Sequence, residues 1–319
     1  MSTFDGMILG VTKIVDHGRD TKRWNLAILG DGYQAGELTS YAGDAQELAN
    51  CLQTTPPFDT LWPAINVHRV DVSSTDSGAD DPASCPGGSG ATASTYFDAT
   101  FCSDQQVQRL LTVNAVTARN VATAQVPQVN MTIVIVNSAI YGGSGGQVAV
   151  FSKAPGADEI AIHEMGHTAF GLADEYSCFA GCSSGETGHD SYTGGEPAQP
   201  NVTANRDPAT IKWAALIASG TAVPTTSNPN PAQCDPQASP VPAAIVGAFD
   251  GAAYFHTGIF RPQFNCRMRE LGNPFCAVCQ KTITDTISPF LPSPIELKPG
   301  RANLSVLPLS QVHPPPRRR

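Results

Sequence analysis

Apolar and polar positions alternate between two periods along the first half of the chain. Runs of apolar and β-branched residues predict strands at 24–29, 65–72, 131–136 and 147–151. The run at 131–136 is apolar at nearly every position, which is typical of a central strand covered on both faces. Helical spacing of apolar residues predicts helices over 37–53, 104–124, 157–170 and 275–287.

The pattern changes after Tyr176. Residues 177–242 are rich in Gly, Ser, Thr, Asn and Pro, with one helical island at 211–217. We therefore predict an α/β (α+β) fold with a mixed twisted sheet. Its divisions are an N-terminal α/β subdomain at 1–176, a loop-rich, disulfide-pinned C-terminal subdomain at 177–292 and an extended tail at 293–319.

Composition narrows the possible functions. Charged residues make up only 15% of the chain, which has 29 glycines and 26 prolines, as in a loop-rich globular protein. A formal net charge of −9 argues against a nucleic-acid partner. No apolar run reaches the length of about 18 residues that a membrane span needs. The sequence does not indicate an oligomeric state.

One motif dominates the chemistry of the chain. His163-Glu164-Met165-Gly166-His167 lies within the predicted helix at 157–170. Histidines four residues apart share one helix face, so both imidazoles can bind one zinc ion. Glu164 is placed to accept a proton from an activated water molecule. The motif predicts a catalytic zinc site with room for a third protein ligand.

The third zinc ligand has several candidates. Asp174 lies just after Gly171, where the helix is expected to end and the chain can turn back. Its neighbour Glu175 is the main alternative ligand, and either acid could instead orient a histidine. Glu186 lies nineteen residues after His167, close to the spacing at which thermolysin-like enzymes supply a glutamate ligand from a second helix. The residues around Glu186 are poor helix formers, which argues against this role. Of these, Asp174 is the ligand that we expect.

Nine cysteines favour an oxidising compartment and hence secretion, although the first residues lack the basic and apolar regions of a signal peptide. Cys178 and Cys182 can close a small loop. Cys276-x2-Cys279 could be half of a metal site or a redox pair, but we expect disulfides to partners such as Cys266. The odd count leaves at least one cysteine without an intramolecular partner.

The motif and the residues after it, Gly171-Leu172-Ala173-Asp174-Glu175-Tyr176, resemble the IgA peptidase family of bacterial zinc metallopeptidases. Further stretches that are similar to this family are Leu29-Gly30-Asp31-Gly32-Tyr33, Pro200-Asn201-Val202-Thr203, Ile211-Lys212-Trp213, Phe260-Arg261-Pro262 and Cys266-Arg267-Met268-Arg269. The resemblance covers roughly residues 20–290. It implies a zincin fold in which the edge strand at 147–151 pairs with an extended substrate, and a methionine turn at Met268 beneath the metal.

The resemblance to metzincins is incomplete. In that pattern a glycine and the third ligand lie three and six residues after the second histidine, where this chain has Phe170 and Ala173. Glycine and acid are both displaced by one residue, to Gly171 and Asp174. The displacement leaves open which residue is the third ligand.

We expect an endopeptidase that hydrolyses extended protein substrates. It would use one zinc ion, with Glu164 as the base and His163, His167 and Asp174 as ligands. Tyr176 and Arg261 are expected support residues, and Tyr192 and Tyr254 are further candidates for stabilising the oxyanion. Two alternatives are a zinc hydrolase of a non-peptide amide or cell-wall substrate and a non-catalytic metal-binding module. An intact Glu164 argues against the second, because a structural metal needs no base.

Overall fold

Six strands form one mixed sheet in the computed structural model, which describes residues 5–178, 190–232 and 238–293. The strand order is β1-β3-β2-β4-β6-β5. β2, β3, β4 and β6 run parallel, and β1 and β5 join the two sides antiparallel. The bounds are β1 Gly6–Val15, β2 Trp24–Asp31, β3 Ile65–Ser74, β4 Val129–Val136, β5 Gly143–Ser144 and β6 Ala149–Ser152. The prediction of a mixed sheet with helices is confirmed.

Five helices and a hairpin complete the described elements. They are α1 Leu38–Thr54, α2 Phe58–Leu61, α3 Ala115–Gln125, α4 Ala157–Phe170 and α5 Ala277–Ile287, with a hairpin of β7 Phe249–Ala252 and β8 Phe255–Arg261. The helices predicted at 37–53, 157–170 and 275–287 correspond to α1, α4 and α5. α1 and α5 each bury one apolar stripe, whereas α4 is buried on most sides and was indicated by its motif, its N-terminal acids and Gly171.

Alternation along the central strands builds two cores. Leu26 and Ile28 of β2 contribute to a core that also contains buried side chains of α1, α4 and α5. Ala27 and Leu29 point to the opposite face, where α3 and residues 96–111 cover them. Successive side chains of a strand point to opposite faces, so the fully buried β2 supplies both cores. The sheet therefore has covering layers on both faces.

Two helix predictions are wrong. Only Ala115–Gln125 of the segment predicted at 104–124 is helical, because Asn114 accepts a hydrogen bond from Thr117 N–H and starts the helix there. The island at 211–217 forms only a short 3-10 turn at Ala214–Leu216. The sequence pattern therefore overestimated both helices.

The expected pairing of Cys276 or Cys279 with Cys266 is also wrong. All three cysteines have free thiols, and the sulfurs of Cys266 and Cys279 lie 3.8 Å apart. A disulfide does join Cys85 to Cys102 in the N-terminal half. Cys178 is disulfide-bonded, but Cys182, its expected partner, lies outside the described residues.

Other predictions stay untested. Glu186 also lies outside the described residues, as does most of the tail, and the division at residue 176 stays a prediction. Within the described ranges, no helix is both long and apolar enough to span a membrane.

Candidate active site

α4 presents His163 and His167 on one face, and its C-terminal end directs the chain back towards them. Gly171 ends the helix with a left-handed backbone (φ 62°), a conformation that glycine adopts at little cost. Phe170 occupies the position where a metzincin has glycine, and its buried ring packs against Trp24 and Phe58. The helix thus extends one residue further, which explains why glycine and acid are both displaced by one.

Both imidazoles are oriented by backbone carbonyl groups. His163 Nδ1 lies 3.0 Å from the carbonyl oxygen of Arg267, and His167 Nδ1 lies 2.7 Å from that of Leu172. A carbonyl oxygen only accepts, so Nδ1 carries the proton of each neutral ring. The Nε2 lone pairs are therefore left facing the site.

Asp174 completes a triangle of ligand atoms. The two Nε2 atoms are 3.1 Å apart, and Asp174 Oδ1 lies 3.1 Å from that of His163 and 3.2 Å from that of His167. Ligand atoms of a tetrahedral site with bonds of about 2.0–2.1 Å are separated by about 3.3–3.4 Å. Asp174 Oδ1 accepts no hydrogen bond from the described residues despite its burial. Three acceptor atoms this close together fit a bound cation, and the residues present therefore suit a metal.

The protonation behaviour of the site without metal agrees with this reading. Burial lowers the pKa of His167, but the contact with Asp174 and its charge outweigh this and raise the pKa to about 9. The pKa of His163 is raised by the same contact against the effect of burial. Although burial opposes it, the contacts with the histidines hold the pKa of the Asp174 carboxyl below its usual range. Asp174 and the two histidines therefore favour positive charge at the position between them.

Glu164 lies beside the metal-ligand triangle, at the wall of a cavity of about 690 Å³ that His163, His167 and Asp174 also line. Burial raises the pKa of its carboxyl, while both histidines lower it. A Cβ atom placed on Gly145 would lie 2.8 Å from Glu164 Oε2 and 2.9 Å from His167 Cβ. The glycine segment at 142–146 therefore approaches the site so closely that a side chain at position 145 would collide with it.

This segment corrects the edge-strand prediction. β5 at Gly143–Ser144 pairs with Val150 and Phe151 of β6, so β6 has a neighbour on both sides. Gly143 and Ser144 thus form the outermost strand of the sheet, next to β6. An extended substrate cannot pair with β6 as expected.

Tyr254, a candidate for stabilising the oxyanion, contacts Asp174 in the structure. Its hydroxyl donates a hydrogen bond to Asp174 Oδ2, and the hydroxyl of Tyr176 lies 3.4 Å away. Both tyrosines line the cavity, and burial raises the pKa of both phenols. Tyr254 therefore orients Asp174 and keeps its proton at neutral pH.

Met268 packs against α4, and its role as a methionine turn beneath the metal stays a prediction. It is fully buried, and a Cβ atom on Gly166 would come within 2.6 Å of its sulfur. Gly166 is on the same helix as the two histidines, so the sulfur packs against the helix that carries them. The neighbouring Arg267 provides the carbonyl that orients His163.

The other predicted site residues lie elsewhere. The carboxylate of Glu175, the alternative third ligand, is enclosed by Cys266, Cys276 and Cys279 and does not face the histidines. Arg261 is buried behind the site, donating hydrogen bonds to backbone carbonyls of Asp250, Gly251 and Phe264. It does not line the cavity around the histidines.

Comparison with known protein families agrees with the site geometry. A sequence model of the IgA peptidase M64 family matches residues 12–234 and 236–287. The chain belongs to this family. As an M64 family member it is a metallopeptidase, with a metal cofactor and protein substrates. None of the curated proteins compared with the chain matches it.

Proposed function

We propose that this M64 family member is a zinc-dependent endopeptidase with a zincin-like active site. The observation that carries the proposal is the triangle of His163 Nε2, His167 Nε2 and Asp174 Oδ1 beside Glu164 in one cavity. Two imidazoles and a carboxylate are a donor set that zinc accepts in catalytic sites, with one position left open. When bound, zinc polarises the scissile carbonyl group and lowers the pKa of a water molecule.

The protein side chains perform the proton transfers. Glu164 accepts the proton of the attacking water and passes it to the leaving amine, and its buried position favours this exchange. Tyr254 and the two backbone carbonyls hold the ligands in place, so little reorganisation is needed during the reaction. Met268 supports the same face from below.

The shape of the cleft supports an extended substrate. The main cavity and a neighbouring one of about 290 Å³ both include His167, Asp174 and Tyr254 in their walls. A polymer can therefore occupy space on both sides of the metal position. Gly143, Gly145 and Gly146 border the main cavity with bare backbone, which suits main-chain contacts to a peptide of any sequence.

The decisive test replaces Glu164 with glutamine. The variant Glu164→Gln keeps the shape and the three ligands, so zinc content should be unchanged while peptide hydrolysis falls by about 10²–10⁴-fold. Glu47→Gln, on the exposed face of α1, is the matched control and should keep full activity. Activity is measured on denatured protein substrates. A non-peptide amide and a cell-wall preparation are tested in parallel.

Each outcome of this test has a clear reading. Full peptidase activity in Glu164→Gln would contradict the role of this base. Hydrolysis of only the amide or cell-wall substrate would show that the extended-peptide assignment is wrong.

An extracellular location is part of the proposal. The Cys85–Cys102 disulfide supports it, because such bonds persist mainly in oxidising compartments. Fractionation of cells that produce the protein tests this, and recovery in the cytosol alone would contradict it.

A further inference from the structure

Glu175 and three cysteines form a closed cluster behind the active site. One oxygen of Glu175 and the sulfurs of Cys266, Cys276 and Cys279 all lie within 4.8 Å of one another. The four residues are almost completely shielded from solvent, the most exposed being Cys276 at 3%. All three thiols are free. Four potential metal ligands thus converge in an interior that water does not reach.

The separations fit the edges of a tetrahedron. Zinc–sulfur bonds of about 2.3 Å place two sulfurs about 3.8 Å apart, and a zinc-bound oxygen lies about 3.6 Å from each sulfur. The sulfurs of Cys266 and Cys279 are 3.8 Å apart. Glu175 Oε1 lies 3.6 Å from Cys276 Sγ and 3.4 Å from Cys279 Sγ. A disulfide would require two sulfurs at about 2.05 Å.

Backbone groups around the cluster favour sulfur atoms in the thiolate form. Cys266 Sγ accepts hydrogen bonds from the N–H groups of Cys276 (3.2 Å) and Met268 (3.5 Å). Cys276 Sγ accepts one from the N–H of Cys279 at 3.4 Å. Such bonds orient metal-bound thiolates and stabilise their charge.

The carboxylate of Glu175 gives an independent sign of a missing partner. Its Oε1 accepts a hydrogen bond from Asn201 at 2.9 Å, yet its buried Oε2 has no hydrogen-bond partner among the described residues. A buried carboxylate is costly unless a charge or several donors compensate it. The thiols around it are weak donors, so a cation is the partner that its surroundings lack.

We propose that Glu175, Cys266, Cys276 and Cys279 bind a second, structural zinc ion. Thiolate donors select zinc over calcium and magnesium, and four protein ligands leave no open position for substrate. The proposal uses none of the active-site residues and does not depend on the proposed function.

This second ion would fix the floor of the active site. Glu175 follows Asp174 directly, and its N–H donates to the carbonyl of Met268 at 2.7 Å. Cys276 precedes α5 and Cys279 lies in its first turn. One ion would therefore connect the acidic segment, the turn at Met268 and α5.

The first experiment measures zinc content and zinc coordination together. Wild-type protein should contain about two zinc ions per chain by elemental analysis. The variant His163→Ala/His167→Ala should retain about one, with zinc–sulfur distances of about 2.3 Å by X-ray absorption. A folded double variant without zinc, or with zinc bound only to nitrogen and oxygen, would overturn the proposal. If this variant does not fold, the X-ray absorption spectrum of the wild type decides. A spectrum that shows no sulfur bound to zinc would also overturn the proposal.

The second experiment examines the cysteines individually. Cys276→Ser should lower zinc content by about one ion per chain, whereas Cys51→Ser, which changes a free cysteine outside the cluster, should leave it unchanged. Alkylation under denaturing, non-reducing conditions after chelation should modify Cys266, Cys276 and Cys279 in the wild type. Mass spectrometry of the wild type that shows any two of them joined by a disulfide would overturn the proposal. This result does not depend on whether the Cys276→Ser variant folds.

Discussion

Asp174 and Glu175 are neighbours in sequence but belong to two different groups of potential ligand atoms. Asp174 faces two histidines at the wall of a cavity, and Glu175 faces three cysteines in the interior. The first group has three ligands and contact with solvent-filled space, whereas the second has four ligands and is enclosed. An open coordination position suits a catalytic metal, whereas four enclosed protein ligands, three of them thiolates, suit a structural metal.

The difference also shows how the active site is held. The three potential ligands of the open group come from α4 and the segment that follows it. Their orientation depends on more distant groups, namely the carbonyl of Arg267 and the hydroxyl of Tyr254. Arg267 follows Cys266, and Glu175 follows Asp174, so the chain connects the enclosed group directly to the groups that orient the cleft.

The largest expected contrast concerns pH. In protein whose cleft metal has been removed by a chelator, the raised pKa of His167 (about 9) lies above its unfolded value of about 6.5. The stability that this proton contributes is therefore complete below about pH 6.5 and lost as pH rises through about 9. Zinc competes with the proton on the His167 imidazole. The affinity of the cleft for zinc should therefore rise about tenfold per pH unit over this window.

Thermal melts of the depleted protein and zinc competition titrations at several pH values test this contrast. Stability and zinc affinity should change in opposite directions between about pH 6.5 and 9. Zinc affinity that does not depend on pH would show that no imidazole proton is displaced.

An intermediate effect is expected from Tyr254→Phe. The change removes the hydroxyl that donates to Asp174 but keeps the ring, so the affinity of the cleft for zinc should fall by about 10–100-fold. Zinc bound by the cysteines should stay. Tyr192→Phe is the control, because that hydroxyl donates to the carbonyl of Gly195 instead. Chelator competition measures both variants, and equal losses would show that Tyr254 does not orient Asp174.

The smallest effect should follow Gly166→Ala. The new methyl group would meet the buried sulfur of Met268, and such overpacking costs about 1–3 kcal/mol. Gly43→Ala is the control, because it lies in α1 with nothing within 4 Å and should stabilise by about 1 kcal/mol. Urea unfolding of both variants compares them. A Gly166→Ala protein as stable as Gly43→Ala would mean that Met268 moves aside freely.

The local chemistry of the active site could be predicted from the sequence. The spacing of His163 and His167 defines one helix face, and Gly171 predicts where the helix ends and turns towards Asp174. These features depend on contacts within about a dozen residues, which periodicity and turn chemistry describe.

Long-range features could not be predicted in the same way. The neighbours of Glu175 lie about a hundred residues further along the chain, and Cys276-x2-Cys279 alone did not indicate an acidic partner. The first strand, β1, was missed because it is half-exposed and is held by pairing with β3. β5 was missed because it is only two residues long and begins with a glycine. Each depends on a partner that only the folded chain brings near.

The adjacency of the two acids also constrains how this segment can change during evolution. Ala173 is held by two hydrogen bonds with Asn201, which anchors the backbone just before both carboxylates. Insertion or deletion of a single residue between Gly171 and Asp174 would shift both acids relative to either this anchor or the histidines of α4. One length change would therefore act as two simultaneous ligand losses, so loop length here should vary less among homologues than the residues that fill it.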